Sequence, residues 1–424
     1  MTPRALARRV LERVERDAAW ATPALDGELD RAGLSDRDRR LSSELVYGVL
    51  RHRLRIDRAL AVHADLSRTP PRVVIALRVA AYQLLFLDRV PAYAAVDDAV
   101  AAARASGGAK LAGFANAVLR NVVRAGEPTW PTDPRARLEF EHSLPGWILD
   151  ELAGATDDAQ ELASRAASFA VPATVVARAN RLRTTRGELA EPLAAHGMAI
   201  RPVNVPNAST PQAFAIENLG DPMRCESFRS GLWTIQDSGA QVVATTAAPR
   251  AGQRILDGCA GVGGKSTHLA ELSDDSATID AADRSAVKLG LSADTATRLG
   301  LSSIRNCVCD LMDAGEALGR DYDLIVLDAP CSGLGVVRRH PDAKWRLSAA
   351  DVPRLAAIQR QLLDAVLPRL APGGAIVYSV CTFTRAEGSA QIRAFADRSG
   401  LRVVAEHRTW PPHADGFYIA RLER

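Results

Sequence analysis

The stretch "RILDGCAGVGGKSTHLAELSDDSATIDAAD", residues 254–283, is the part of the sequence that decides the fold class. It holds an apolar run, a glycine-rich turn, a helical segment and a second apolar run. The alternation continues through "IRNCVCD", "YDLIVLDAP", "DVPRLAAIQRQLLDAVLPRL" and "AIVYSVCTF". Strands that alternate with helices at this spacing predict βαβ units and a doubly wound, mostly parallel sheet. We therefore predict an α/β, Rossmann-like domain over residues 236–424.

The first 126 residues differ, because they form a series of amphipathic helices in the sequence pattern. Apolar residues recur at helical spacing in "PRALARRVLERVERD", "SDRDRRLSSELVYGVLRHRLRIDRAL", "PPRVVIALRVAAYQLLFLD", "AYAAVDDAVAAARAS" and "KLAGFANAVLRNVVRA". The proline-rich residues 127–139 predict a linker. Residues 140–235 mix helical and strand-like segments, which predicts a small α+β domain. The chain is thus predicted to be multidomain, with an all-α bundle over residues 1–126.

Composition and charge limit the class of protein. With 424 residues, 47% hydrophobic and 24% charged, the chain is a folded protein of more than one domain, neither disordered nor collagen-like. Lys and Arg outnumber Asp and Glu by 21 to 14 over residues 1–126, whereas the acids lead by 36 to 32 in the remainder. A basic segment favours a polyanion such as nucleic acid as partner, with a solvated basic face as the alternative.

The cysteines and the N-terminus bear on the compartment. Six cysteines occur without the spacing of a disulfide framework, and the start "MTPRALARRV" lacks the apolar core of a signal peptide. No apolar run reaches the length of a membrane span. The close pair Cys307 and Cys309 is a poor zinc signal without further ligands. We expect a cytoplasmic monomer with reduced thiols, no metal and no membrane segment.

The glycine-rich loop after the first strand, "GCAGVGGKSTH", admits three interpretations. A phosphate-binding P-loop requires a glycine where Cys259 stands, so that match fails by one residue. A dinucleotide-binding loop requires G-x-G-x-x-G, which Gly261, Gly263 and Gly264 do not supply. An S-adenosylmethionine site is the remaining interpretation.

Acidic residues at the ends of the next two strands agree with that choice. Asp283 is placed to hold the two hydroxyls of a ribose, and the alternative is a helix N-cap. Asp310 can accept a hydrogen bond from an adenine amino group, and the alternative is a turn-forming aspartate. Both lie at the carboxyl edge of the predicted sheet, where ligands of such sheets bind.

Two thiols follow the fourth and fifth strands, Cys331 in "DAPCSG" and Cys381 in "VYSVCTF". If those strands are neighbours, about 4.8 Å apart, both sulfur atoms face one ligand. A methyl donor beside thiols points to carbon 5 of a pyrimidine, which becomes nucleophilic when a thiolate adds at carbon 6. Lys265 or Lys344 can supply the positive charge that favours a thiolate. Methylation of an exocyclic amine would instead require Asn/Asp-Pro-Pro-aromatic after the fourth strand.

These motifs together resemble the Nop2/Sun family, and within it the bacterial ribosomal RNA cytosine-5 methyltransferases of the Sun/Fmu (RsmB) type. The resemblance rests on "DAPCSGLGVVRRHPDAKW", "VYSVCT", "QDSGAQ" and "GCAGVGGKSTHL". It extends to "GFANAVLRNVVR", which is similar to a NusB-like RNA-binding domain, to "ARANRLRTTRGEL" in the small domain and to the closing "ADGFYIARL". The family implies a class I methyltransferase domain with a mostly parallel seven-stranded sheet.

The resemblance also implies roles for particular residues. Cys381 would be the nucleophile that attacks carbon 6, Cys331 would help to release the product, and Asp328 would lie near the methyl donor and the target base. S-adenosylmethionine would be bound by Asp283, Asp310, Asp328 and the loop Cys259, Ala260, Gly261, Val262, Gly263, Gly264 and Lys265. The sequence departs from the family at Gly261 and Val262, where Ala-Pro is usual, around the nucleophile at Val380 and Thr382, where Thr and Ser are usual, and at Ala240, where Ser is usual.

The predicted partner is RNA, most directly 16S ribosomal RNA, with transfer RNA as the alternative substrate. Arg178, Asn180 and Lys344 are the predicted RNA contacts, and Arg51, Arg53 and Arg55 are further candidates, with solvated surface arginine as the alternative. A protein of another class, a non-catalytic RNA-binding assembly or transcription factor, would have no need of both cysteines and the cofactor acids.

Overall fold

The computed structural model describes residues 1–424. Its contacts divide the chain into two compact units. Unit 1 consists of Met1–Val171 together with Val337–Leu347, and unit 2 consists of Pro172–Val336 together with Ser348–Arg424. Residues 337–347, although they lie inside the methyltransferase motif of the sequence, therefore pack in the helical unit.

Unit 1 is all-α. Its helices are α1 (Pro3–Arg16), α2 (Ala21–Ala32), α3 (Asp36–Arg51), α4 (Arg53–Ala61), α5 (Pro71–Phe86), α6 (Ala92–Ala125), α7 (Pro134–Glu141), α8 (Gly146–Ala155) and α9 (Ala159–Phe169). The Thr2 hydroxyl caps α1 by accepting from the Ala5 amide, and the Ser35 hydroxyl caps α3 by accepting from the Asp38 amide. The two helices predicted on either side of Gly108 merge into α6, which is interrupted there because Gly108 has a φ of 78°.

The helical prediction for residues 1–126 differs from the structure in two places. The predicted helix over residues 35–60 is two helices, because His52 adopts a non-helical φ of −109° and ψ of 21° between α3 and α4. Helix α2 was not predicted, since Pro23 and Gly27 interrupt its apolar pattern. This helix is stabilised by tertiary packing, because Leu25 and Leu29 are buried in the core of unit 1.

The core of unit 1 follows from the helical spacing of its apolar residues. Leu6, Val10 and Leu11 lie on one face of α1 and are buried with Leu77 of α5 and Leu119 of α6. The burial of this face holds the bundle together, at roughly 1.5–3 kcal/mol for each large apolar side chain removed from water.

The segment Val337–Leu347 is fixed to unit 1 by buried hydrogen bonds. The Lys344 side-chain nitrogen donates to the carbonyl oxygens of Arg51, at 2.7 Å, and Ser143, at 2.6 Å. The Trp345 indole donates to the Leu50 carbonyl, and the Asp342 carboxylate accepts from the Ala21 amide. Helix α15 (Ala343–Arg346) of this segment therefore lies against the ends of α2 and α3 and against the chain after α7.

The domain boundary given by the contacts of unit 1 differs from the one predicted from the sequence. Residues 140–171, predicted to begin the small domain, group with the helical bundle. Helix α7 packs against α4, and the Ser143 hydroxyl accepts from the Leu54 amide at 2.7 Å. The sequence pattern predicts α8 as a helix but not which core it joins, and α9 was not predicted.

Unit 2 begins with a small four-stranded antiparallel sheet. Its elements are β1 (Val175–Ala179), α10 (Ala190–Ala194), β2 (Ala199–Pro202), β3 (Ala213–Glu217), α11 (Glu226–Arg229) and β4 (Trp233–Ile235), with strand order β2-β3-β1-β4. Phe214 and Trp233 are buried in its core together with Leu189 and Leu193.

The second part of unit 2 is a seven-stranded sheet between helices. Its elements are α12 (Ser238–Ala247), β5 (Arg254–Gly258), α13 (Gly264–Leu272), β6 (Thr278–Asp283), α14 (Ala286–Leu299), β7 (Ile304–Val308), β8 (Tyr322–Asp328), α16 (Asp351–Val366), β9 (Leu370–Val380), α17 (Ser389–Ser399), β10 (Arg402–Thr409) and β11 (Phe417–Glu423). The strand order is β10-β11-β9-β8-β5-β6-β7, with β5 to β9 parallel and β11 antiparallel to both neighbours.

This sheet confirms the predicted Rossmann-like class and its seven strands. Successive residues of β8 alternate between the two faces, so that Ile325 joins one apolar cluster and Val326 joins the other. Both faces are covered, as expected of a sheet with helices on each side. None of the helices combines the length and apolar character needed to cross a lipid bilayer.

The buried Lys344 generates a prediction about pH and stability. Burial lowers the pKa of Lys344 well below its usual value, and the Arg51 guanidinium adds to this effect. The unfolded chain holds a proton on this side chain up to a pH of about 10.4, whereas the folded chain releases it at a lower pH. Folding therefore releases a proton in the interval between the two pKa values, and stability rises with pH there.

We expect Lys344→Met to remove this pH dependence. The stability of the unsubstituted protein relative to the variant should rise with pH over the interval just below about pH 10.4, by at most about 1.4 kcal/mol per pH unit. Thermal unfolding across this range measures it, with Lys110→Met on the exposed part of α6 as the control. A difference that stays constant or shrinks as the pH rises would contradict the prediction.

Candidate active site

The pairing of β8 with β9 brings the two predicted active-site loops together. The strands are parallel neighbours, with Asp328 opposite Ser379, so both loops leave the same edge of the sheet. The Cys331 and Cys381 sulfur atoms, one in each loop, are 3.4 Å apart. The expected juxtaposition of the two thiols is therefore present in the structure.

The two thiols differ electrostatically. A hydrogen bond to Cys381 raises the pKa of Cys331 well above its usual value, and burial and the Glu387 and Asp328 carboxylates add to this effect. Cys331 is therefore held as a neutral thiol, and in its contact with Cys381 either sulfur can act as the hydrogen-bond donor.

Asp328 and Lys265 form an ion pair next to the thiols. The Lys265 ammonium group donates to Asp328 Oδ2 at 2.5 Å, and the Ser379 hydroxyl donates to Asp328 Oδ1 at 2.7 Å. Burial opposes the charge on Lys265, but Asp328, with smaller contributions from Asp257 and Cys381, raises the pKa of Lys265 above its usual value. Lys265 is therefore a permanent cation in the field of Cys381, as predicted for one of the two candidate lysines.

The loop from β5 to α13 has the left-handed backbone that its glycines predict. Gly261 has a φ of 58° and Gly263 a φ of 80°, and α13 starts at Gly264. A Cβ atom on Gly263 would lie 2.1 Å from the Ser292 hydroxyl oxygen, so the loop and α14 are in close contact here. Val262, one of the two departures from the family loop, is exposed and leaves this backbone path intact.

Cys259 of the same loop is not a further reactive thiol. It has a left-handed φ of 63°, and burial together with four nearby carboxylates, Asp328 first, raises its pKa to about 12. A thiol held neutral in this way is a poor nucleophile.

An open cavity of about 510 Å³ lies at this edge of the sheet. Its wall includes Asp283, Asp310 and Asp328, and both Cys331 and Cys381 line it. This volume is that of a site for a nucleoside-sized ligand, roughly 300–1,000 Å³. Three carboxylates spaced along the ends of successive strands suit a ligand that carries hydroxyl donors, an amine and a positive charge.

Hydrogen bonds fix two of these carboxylates. Asp283 accepts from the Gly261 amide at 2.9 Å and from the Ser285 amide at 2.8 Å, while Ser285, not Asp283, caps α14. Asp283 therefore holds the glycine-rich loop against β6. Asp310 accepts from the Met312 amide and thereby caps a short 3-10 turn, which is the alternative role considered for it, and it also faces the cavity. The residues present fit S-adenosylmethionine in charge and volume.

The structure contradicts the prediction that Arg178 contacts RNA. Arg178 is fully buried, and its guanidinium forms a two-pronged ion pair with Glu271 of α13, at 2.7 and 3.1 Å. It also donates to Gln236 and to the Gly264 carbonyl, and these bonds hold the end of the glycine-rich loop in place. The sequence shows an arginine at a strand but not the buried acid that pairs with it.

Asn180 and Lys344 are likewise unavailable to RNA in this structure. Asn180 is fully buried and donates to the carbonyl oxygens of Gly231 and Leu299, both at 3.0 Å. Lys344 is buried in unit 1 and bonded to main-chain carbonyls, as described above, so it supplies no charge to the thiols either. Both predictions took a polar side chain to be a surface group, whereas each satisfies buried backbone oxygens.

The three further arginine candidates fall into two groups. Arg51 is buried and donates to the Arg338 carbonyl. Arg53 and Arg55 keep 27% and 22% of their side chains exposed, in ion pairs with Glu15 and Glu127 respectively. Only the latter two remain predicted RNA contacts.

Sequence reasoning missed the polar network behind the thiols. Its centre is Glu387, a fully buried carboxylate that accepts from Ser332, Gln359 and Thr384. Glu387 lies in a turn before α17, where an acidic residue has no distinguishing pattern, so no signal in a single sequence identifies it.

Comparisons with known proteins agree with this geometry. The sequence model described as 16S rRNA methyltransferase RsmB/F matches residues 244–423, and that of the NusB family matches residues 1–124. "Probable ribosomal RNA small subunit methyltransferase B" of Synechocystis sp. is 34% identical over the full length of both chains. "Ribosomal RNA small subunit methyltransferase B" of Vibrio cholerae is 34% identical over 92% of this chain and 90% of its own.

A solved structure shares the fold over the whole chain. The crystal structure of the protein PH0851 superposes with a TM-score of 0.81 at 22% identity, covering 100% of this chain and 99% of its own. The likeness to this structure concerns the fold alone.

The contact at Gly263 generates a prediction about the loop. Gly263→Ala should destabilise unit 2 by about 1–2 kcal/mol from the left-handed backbone, plus about 1–3 kcal/mol from overpacking against Ser292. Gly252→Ala is the matched control, since Gly252 has a φ of 78° but nothing near its Cβ position. Thermal unfolding of both variants measures the difference. Equal destabilisation of the two would contradict the close contact between the loop and α14.

Proposed function

The chain belongs to the RsmB/F family of 16S rRNA methyltransferases, and we propose that it transfers a methyl group from S-adenosylmethionine to carbon 5 of a cytosine in 16S ribosomal RNA. The observation that carries the proposal is the pair of sulfur atoms 3.4 Å apart at the ends of β8 and β9, of which one is held neutral. Methylation of carbon 5 requires one thiolate that attacks carbon 6 and a separate group that helps to release the methylated base.

Cys381 is the nucleophile in this proposal. Its thiolate adds to carbon 6 of the cytosine, which makes carbon 5 an enamine carbon that is able to attack an electrophilic methyl group. The Lys265 ammonium group, paired with Asp328 next to the two thiols, is a cation that interacts electrostatically with the attacking sulfur. S-adenosylmethionine, bound along the cavity wall at Asp283 and Asp310, supplies the sulfonium methyl group.

Cys331 acts after the methyl transfer. The proton on carbon 5 must leave, and the bond between carbon 6 and the Cys381 sulfur then breaks, which restores the double bond of the base and returns the thiolate. Because the bond to Cys381 is the first cause of the raised pKa of Cys331, conversion of Cys381 to a thioether removes that cause. Once its own proton has passed to solvent, the Cys331 thiolate can accept the proton from carbon 5 as the bond between carbon 6 and the Cys381 sulfur breaks.

Asp328 positions the reacting groups. Its two oxygen atoms are held by Lys265 and Ser379, so its carboxylate is fixed at the end of β8 between the two cysteine loops. A fixed carboxylate at this point is suited to accept a hydrogen bond from the exocyclic amine of cytosine. This supports cytosine over uracil, which presents a carbonyl oxygen at that position.

The helical unit supports RNA as the substrate. It matches the NusB family over residues 1–124, and these residues carry the basic excess of the chain. Arginine contacts to phosphates supply affinity and orientation without reading the sequence, while the cavity of unit 2 receives an unpaired base.

The covalent route generates a prediction for the cysteine variants. With 16S ribosomal RNA and labelled S-adenosylmethionine, Cys331→Ala should accumulate a protein–RNA adduct and lower turnover by about 100-fold or more, because release is blocked. Cys381→Ala should form no adduct and transfer no methyl group, because the attacking sulfur is absent. Denaturing electrophoresis measures both outcomes.

Cys309→Ala is the matched control, since Cys309 lines the same cavity outside the pair. It should methylate at close to the normal rate without accumulating adduct. If Cys331→Ala and Cys381→Ala both methylate normally, the covalent mechanism is wrong.

A further inference from the structure

Glu387 occupies an unusual position behind the two thiols. It is fully buried, in the turn between Cys381 and α17. Its carboxylate accepts four hydrogen bonds, from the Ser332 amide at 2.8 Å, the Ser332 hydroxyl at 2.5 Å, the Gln359 amide group at 3.0 Å and the Thr384 hydroxyl at 2.9 Å. All four donors are uncharged, so hydrogen bonds rather than an ion pair with these groups compensate for the burial of the carboxylate.

On one side these bonds hold the loop of Cys331. Ser332, the residue after Cys331, is bound through both its amide and its hydroxyl group. Gln359, while donating to Glu387, also donates to the carbonyl of Pro330, the residue before Cys331, at 3.0 Å. The main chain on both sides of Cys331 is therefore anchored to one carboxylate and its neighbour.

On the other side the same network holds the loop of Cys381. The Ser332 hydroxyl is 2.9 Å from the hydroxyl of Thr382, the residue after Cys381. The Thr384 hydroxyl, also bound to Glu387, lies in the same loop two residues further on. A single buried side chain thus connects the residue following one thiol with the residue following the other.

We propose that Glu387 is a positioning residue that sets the distance and orientation of the Cys331 and Cys381 thiols through Ser332 and Thr382. The proposal rests on the proposed function, in which the two thiols act in succession on one base. Pairing of β8 with β9 brings the loops to the same edge, but the residues after each strand need a separate restraint to hold two sulfur atoms in contact. Glu387 supplies it.

The chemistry of the site agrees with this role. Removing a carboxylate from water costs several kcal/mol, and an apolar side chain of similar size would stabilise the fold as well or better. The carboxylate also contributes to the raised pKa of Cys331, after the hydrogen bond to Cys381 and burial. A buried carboxylate that forms hydrogen bonds with both cysteine loops is best explained by the reaction that these loops carry out.

Substituting Glu387 by Gln or by Ala tests whether its hydrogen bonds hold the two cysteine loops in place. In Glu387→Gln the side-chain oxygen can still accept from the Ser332 amide, and the new amide group can donate to the hydroxyls of Ser332 and Thr384, which turn to accept. In Glu387→Ala every bond is lost. Thr382→Val removes the hydroxyl next to Cys381 while keeping the branched shape, and provides a milder test.

The first measurement needs neither RNA nor S-adenosylmethionine. Phenylarsine oxide condenses with two neighbouring thiols to form two arsenic–sulfur bonds and one water molecule, with no change of oxidation state. The full-length protein should bind one equivalent at Cys331 and Cys381, and Cys331→Ala should abolish this binding. Glu387→Ala should weaken it by about tenfold or more, because chelation is lost when both groups cannot be engaged at once.

Glu387→Gln should bind the arsenical within about threefold of the unsubstituted protein, and Thr382→Val should fall between the two glutamate variants. Gln391→Ala is the matched control: Gln391 is buried on α17 and donates to the Ala356 carbonyl, but it contacts neither cysteine loop. It should lose stability and keep its affinity for the arsenical. The proposal is overturned if Glu387→Ala binds normally, or if Gln391→Ala loses as much affinity.

The second measurement follows the reaction. Glu387→Ala should lower the turnover number for RNA methylation by about 100-fold with little change in KM, since a displacement of about 1 Å is enough for such a loss. The fraction of enzyme held as the RNA adduct should rise, and the Gln variant should restore both values to near normal. Loss of turnover with an unchanged adduct fraction in all variants would overturn the positioning role.

The two measurements distinguish the two proposals. If the unsubstituted protein forms no adduct with RNA but the arsenical results hold, the positioning of the thiols by Glu387 stands and the covalent methyltransferase mechanism fails.

Discussion

The parallel pairing of β8 with β9 is the constraint on which the candidate active site depends. It places Asp328 opposite Ser379, so that the Ser379 hydroxyl can bond the Asp328 carboxylate and the two chains leave the sheet side by side. Since side chains alternate along each strand, a register shift of one residue would turn Asp328 to the opposite face of the sheet. Because β8 is buried in apolar clusters on both faces, polar contacts such as that between Asp328 and Ser379 help to specify the register.

The part of the site that depends on this register could be predicted from the sequence. Strand ends in a doubly wound sheet are recognisable as the points where apolar runs stop, so Asp283, Asp328, Cys331 and Cys381 could be assigned to one edge. Their arrangement depends on backbone topology, which the alternation of strands and helices indicates. The distinction between the two thiols could not be predicted from the residues, because it arises from a hydrogen bond and from two carboxylates that only the folded chain brings close to Cys331.

The failed predictions share one physical cause. Arg178, Asn180 and Lys344 were predicted to contact RNA, which requires exposure, yet each is buried and bonded to groups distant in sequence. Arg178 meets an acid on α13, and Lys344 meets carbonyl groups after α3 and after α7. No periodic pattern in the sequence predicts such pairings. Arg178 fixes the glycine-rich loop of the site, Asn180 fixes the chain at Gly231 and Leu299, and Lys344 fixes residues 337–347 in unit 1.

The central claim is that Cys381 forms the covalent bond to the base while Cys331 does not. RNA that carries 5-fluorocytidine tests it most directly, because fluorine at carbon 5 cannot leave as the proton does and the adduct persists after methyl transfer. Digestion followed by mass spectrometry identifies the cysteine that bears the nucleotide. The account predicts a methylated fluorocytosine nucleotide on the peptide that contains Cys381. A nucleotide on the Cys331 peptide, or the absence of any adduct from an enzyme that methylates ordinary 16S ribosomal RNA, would contradict it.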